Sequence, residues 1–185
     1  MYGQYRDYLF VIVFLIIAIP SVLTVLFFRK RRRQEKYRKP ETVKGGNLSV
    51  FFDKSGNATL IPYVKDTVGS GKATSRVAVL KTPYTPQKLG LSVKKSLNGC
   101  IGSTSCSDTE LLAVLGANDW SEFSWNKRNI SVYFREGYGL IFNSTTRNAD
   151  GVFQFNTRGI EKTVPAGIED AALGNTLLQL LVKCR

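Results

Sequence analysis

Hydrophobic and polar residues alternate over NLSVFF, residues 47–52, and again over NISVYF, residues 129–134. Short apolar runs follow each, around Leu60–Ile61 and around Leu140–Ile141. A period of two sends successive side chains to opposite faces, so these stretches predict strands. The expected spans are 47–53, 58–64 and 74–81, then 129–135, 138–143 and 151–163, the last divided at Gly159. DKSGN and REGYG, between the first two strands of each set, carry the glycine and polar content that hairpins need.

Two further stretches change the period to between three and four. Thr85 before Pro86 reads as an N-cap and first helical position, after which Leu89, Val93, Leu97 and Cys100 fall on one helix face. The stripe returns as Leu173, Leu177, Leu181 and Cys184, an offset of 84, while the opening strands recur at an offset of 82. A small sheet with one helix has an apolar face that a second copy can cover. The repetition therefore predicts an α+β fold: internally duplicated β-β-β-α units forming one pseudo-two-fold domain. Repeat one covers about 47–100 and repeat two 129–185, with a connecting helix and Trp segment at 101–128. In that connection Ser107 and Glu110 have the spacing of a capping box, and Gly116 is a stop. Trp120, Phe123 and Trp125 are expected in the core.

Ahead of the repeats, Tyr8 to Phe28 is a run of twenty-one uncharged residues, sixteen of them Leu, Ile, Val or Phe. At about 1.5 Å per residue this crosses a hydrocarbon layer about 30 Å thick. The basic run follows the apolar stretch, which argues for a permanent anchor and against a cleaved signal. Arg29, Lys30, Arg31, Arg32 and Arg33 then flank the membrane on its cytoplasmic side. The expected organisation is a short extracytoplasmic tail at 1–7, a transmembrane helix at 8–28, a basic juxtamembrane linker at 29–44 and a cytoplasmic α+β domain at 45–185. Of the formal net charge of +12, seven units sit in residues 1–40, which hold nine Lys/Arg against Asp7 and Glu35. Such a run attracts anionic lipid, so inner-membrane lipid is an expected partner and direct nucleic-acid binding is not expected.

Candidate chemistry is sparse. The chain has no His, which removes Ser/His and Cys/His nucleophile pairs. Cys100, Cys106 and Cys184 show no C-x-x-C spacing, so no metal site is expected, and Cys100 and Cys184 read as small buried hydrophobes. GSGKAT, residues 69–74, has Asp66 where a phosphate loop needs Gly and Ala73 where it needs Ser or Thr. No catalytic residue and no cofactor is nominated, and no enzyme is expected. Between Ser96 and Asn126 there is no Lys or Arg, while Asp108, Glu110, Asp119 and Glu122 are acidic. Two readings of this stretch stay open: a solvated helix start and loop, or a face for a basic partner.

In order and spacing, SDTELLAVLGANDWSEF, NISVYF and GIEDAALGNTLLQLLVKCR resemble the immunity proteins of bacterial contact-dependent growth inhibition, over about residues 45–185. The matching positions are Leu89 with Gly90, Trp120 with Phe123, Val132 with Phe134, and Leu173 with Gly174. The resemblance implies a non-enzymatic antidote that binds and blocks the toxin domain delivered by a neighbouring cell, commonly a nuclease. The resemblance carries over no interface residue; the acidic stretch alone makes Asp108, Glu110, Asp119 and Glu122 the candidate toxin-binding residues. The added helix places such a protein in the bacterial inner membrane, single-pass, with the N-terminus outside and the C-terminal domain cytoplasmic. A structural or adaptor subunit of an inner-membrane assembly is the alternative, motivated by the anchor itself.

Overall fold

The computed structural model describes residues 19–20, 22–29, 41–65, 71–157 and 160–185. The chain divides into two compact units, Met1–Lys39 and Pro40–Arg185. In the first, residues 22–29 are helical, with Val22, Leu23, Leu26, Phe27 and Phe28 all exposed. No helix among the described residues is long and apolar enough to cross a membrane. Residues 22–29 reach about 12 Å at 1.5 Å per residue, well short of a hydrocarbon layer about 30 Å thick. The expected single transmembrane helix at 8–28 is overturned, and with it the single-pass inner-membrane location. Most of the 8–28 stretch lies outside the described residues, as do Lys30, Arg31, Arg32 and Arg33; Arg29 ends the described helical run.

The second unit is a mixed α/β domain on one curled antiparallel sheet. Its strands are β1 (Asn47–Phe52), β2 (Ala58–Lys65), β3 (Gly71–Ala73), β4 (Ala78–Leu80), β5 (Arg128–Arg135), β6 (Gly139–Arg147), β7 (Phe153–Phe155) and β8 (Lys162–Val164). The helices are α1 (Pro86–Gly99), α2 (Asp108–Leu115), α3 (Trp120–Ser124) and α4 (Asp170–Leu181). The sheet runs β3-β2-β1-β5-β6-β7, with β4 also against β2 and β8 also against β6.

This corrects the expected internally duplicated β-β-β-α units of a pseudo-two-fold domain. Four strands, not three, precede each long helix: the span 74–81 shrinks to β4, with β3 ahead of it on the opposite end of β2, and 151–163 gives way to β7 and β8 on opposite ends of β6. Neither half keeps a small sheet of its own, because β1 pairs with β5 from Asn47↔Tyr133 to Phe52↔Arg128. An edge strand left open presents unpaired backbone groups, and joining β1 to β5 removes two such edges at once.

Alternation decides what each face of the sheet does. Leu48, Val50 and Phe52 on β1, Leu60 on β2, Ile130 and Val132 on β5, and Leu140 and Phe142 on β6 point to one side and are at most 1% exposed. There they meet Leu89, Val93 and Leu97 of α1 and Leu173, Leu177 and Leu180 of α4. The two helices touch through backbone. A Cβ on Gly90 would lie 1.9 Å from the Asp170 carbonyl oxygen, and one on Gly174 would lie 2.0 Å from that of Pro86. Only glycine permits this approach. Thr85 caps α1, its side chain accepting from the Lys88 backbone N–H at 3.2 Å. Lys94, fully buried, leaves α1 to pair with Asp170 at 2.8 Å and to donate to the Ile168 carbonyl at the start of α4. Cys100 and Cys184 are buried free thiols, as the stripes require.

Candidate partner-binding face

The opposite face of the sheet is covered by the two short helices. Phe51 and Ile61 are buried there against Leu111 of α2 and Phe123 of α3, with Tyr63, Trp120 and Phe153 half-buried around them. Phe51 is the hub. Its ring meets Phe123 at 5.1 Å, Phe153 at 5.4 Å and Trp120 at 5.7 Å, each edge to face, the arrangement that ring quadrupoles favour.

Helices of eight and five residues cannot sustain themselves by backbone bonding alone, and both are capped. Ser107 accepts from the Glu110 N–H, while the Glu110 carboxylate accepts from the Ser107 N–H at 2.8 Å, completing the expected capping box. Gly116, at φ 67°, closes α2. Asp119 caps α3, accepting from the Glu122 N–H at 2.7 Å, and Glu122 accepts from both the backbone and side-chain nitrogens of Asn118. The four acidic residues named from sequence thus lie on one flap, and Glu110, Asp119 and Glu122 serve as its caps. Asp108 accepts no hydrogen bond from the described residues. The sequence signal for the capping work of Asp119 and Glu122 is an acidic residue at an N-cap position with Glu three residues on.

Trp120 and Phe123 join the aromatic cluster, but Trp125 does not. It is 64% exposed, at the C-terminal end of α3 in an extended conformation, and Asn126 beyond it takes φ 55°. Its neighbour is Arg147, whose guanidinium centre lies 5.5 Å from the indole and whose Nε donates to Ser124 Oγ at 3.1 Å. Nothing in the spacing of Trp125 separates it from Trp120.

Two clefts flank Tyr63. One, about 560 Å³, lies at the strand ends between Lys65, Tyr133 and Arg135; the other, about 650 Å³, lies beside α2 with Cys106, Asp108 and Trp120 on its wall. Burial pushes the Tyr63 phenol up, the Ser49 hydrogen bond opposes this in part, and Asp108 adds to it. Burial likewise raises the Cys106 thiol, with Glu110 reinforcing it, and raises Cys100 and Cys184. A nucleophilic cysteine needs the opposite shift. Gly71–Ala73 of the glycine-rich stretch form strand β3. Among the described residues no three His, Cys, Asp or Glu side chains are grouped to hold a metal ion.

No family model matches the sequence, and no curated protein matches it. The fold has solved relatives. A protein of unknown function from Neisseria meningitidis superposes with a TM-score of 0.59 at 11% identity, over 78% of this chain and 98% of that one. A chain of a CdiA-CT/CdiI toxin and immunity complex from Yersinia pseudotuberculosis superposes with a TM-score of 0.57 at 11% identity, over 78% of this chain and 100% of that one.

Proposed function

We propose that this chain is an immunity protein of a contact-dependent growth inhibition system, protecting the cell by binding a toxin domain and not by catalysis. One observation carries the reading: the shared fold with a chain of a toxin and immunity complex, end to end of that chain. The chemistry around it agrees. The chain has no His, and its three thiols are raised by burial, so it carries neither a His-activated nucleophile nor a lowered thiol. A rigid domain inhibits by covering a functional surface, for which about 800 Å² per partner is the usual scale.

Nucleic acid is a poorer partner for this domain. Several of its cations are used internally: Lys94 pairs with Asp170, Lys183 with Glu161, and Arg76 and Arg128 donate to main-chain carbonyls. Of the four acidic residues, Asp108 has a carboxylate left for a basic side chain of the toxin. The adaptor reading rested on the transmembrane helix and has no other support.

The test is survival. Cells expressing the toxin domain encoded beside this chain should grow when the chain is supplied and stop when it is withheld, and the two proteins should co-elute. Nucleic acid that degrades only in the unprotected cells would identify a nuclease partner. Death in both cultures sinks the proposal.

A further inference from the structure

We infer that Trp125 and Arg147, continued by Phe155, form the anchor by which this domain grips its toxin, receiving a toxin carboxylate set beside an apolar side chain; the inference rests on the immunity reading. Trp125 is 64% exposed and Phe155 55% exposed, a large apolar area left in water. Asn126, a residue type that tolerates the left-handed region, turns the backbone at φ 55° directly after the indole. An exposed indole beside a turn and an exposed ring on β7 suit a partner that covers them.

Arg147 is fixed before any partner arrives. Its side chain donates to Ser124 Oγ at 3.1 Å and Ser121 Oγ at 3.5 Å, and its backbone N–H donates to the Arg185 carbonyl at 3.0 Å. The guanidinium passes close over Gly151, where a Cβ would lie 3.0 Å from its terminal nitrogen. Among the described residues no carboxylate forms an ion pair with the Arg147 guanidinium. The missing complement is an acid, which a planar guanidinium can take through two parallel hydrogen bonds. The stacked indole supplies the neighbouring apolar contact.

The patch stands on a firm base. Arg147 and Phe153 are cross-strand partners, Phe153 packs edge to face on Phe51, and Phe155 follows two positions along the same strand and so on the same side. Trp and Arg are the residues that dominate measured interfaces, and side chains already ordered lose little freedom on binding.

The experiment titrates the toxin domain encoded beside this chain with the full chain and its variants, at two salt concentrations. Trp125→Ala should weaken binding at least tenfold and leave the salt dependence unchanged. Arg147→Gln should weaken it at least tenfold and flatten the salt dependence, which a merely structural role would not do. Phe155→Ser is the substitute should Trp125→Ala fail to fold by circular dichroism, and should weaken binding about fivefold. Binding of all folded variants within twofold of the unsubstituted chain overturns the inference while leaving the immunity reading intact. An unsubstituted chain that does not bind overturns both.

Discussion

The two faces of the sheet are packed on different principles. On the side of α1 and α4, mostly aliphatic residues from four strands, with Phe52 and Phe142 among them, meet two long helices, and Leu48, Val50, Leu60, Leu89, Leu173 and Leu177 have no exposure at all. On the side of α2 and α3, aromatic rings meet two short, heavily capped helices, and the packing ends in an exposed Trp. The first arrangement spends every side chain on stability. The second leaves surface available, so substitutions on the two faces should separate folding from binding.

The sharpest break belongs to the first face. Gly90→Ala inserts a methyl group against the Asp170 carbonyl, forcing the helices apart, and should destabilise by more than about 3 kcal/mol in urea unfolding. Leu177→Ala empties a fully buried site on the same face and should cost about 3 kcal/mol by the same measurement. On the second face, Ser107→Ala removes an exposed cap and should cost about 1 kcal/mol. Trp125→Ala should change stability by less than about 0.5 kcal/mol, since it removes no buried contact. If Trp125→Ala cost as much as Leu177→Ala, the contrast between the faces would fail.

Glu161, outside both faces, makes a contribution that depends on pH. Burial pushes its carboxyl up, but bonds from the Ser144 hydroxyl and N–H, with Lys183 at 3.0 Å, outweigh that and hold it below the usual carboxylate range. A depressed folded-state value means the ionised form stabilises the fold. That contribution is full above the unfolded-state value and is lost as pH falls through the lower, folded one. Thermal melting at descending acid pH should therefore show the unsubstituted chain losing stability more steeply than Glu161→Gln.

Much of the local structure was legible because local physics decides it. Alternation located β1, β2, β5 and β6, Thr85–Pro86 located the start of α1, and Ser107 with Glu110 located the start of α2. What could not be read was long-range. That β1 pairs with β5 is a matter of which edges meet in space, and no period along the chain encodes it. The expected third strands, 74–81 and 151–163, gave way to shorter ones, since each half's second strand takes one short partner at either end. Large aromatics favour burial on average, which placed Trp120 and Phe123 correctly and Trp125 wrongly. The acids of the flap were visible as charge, but their work as caps depends on where α3 begins.

The seam between β1 and β5 also sets a condition on biosynthesis. β5 begins about 80 residues after β1, so a ribosome adding about 5–20 residues per second leaves the outer edge of β1 bare for about 4–16 s. During that interval the nascent chain offers Val50 and its neighbours to any strand within reach, a second emerging copy included. Polysomes loaded densely with this message should for that reason yield more cross-paired chains than sparsely loaded ones.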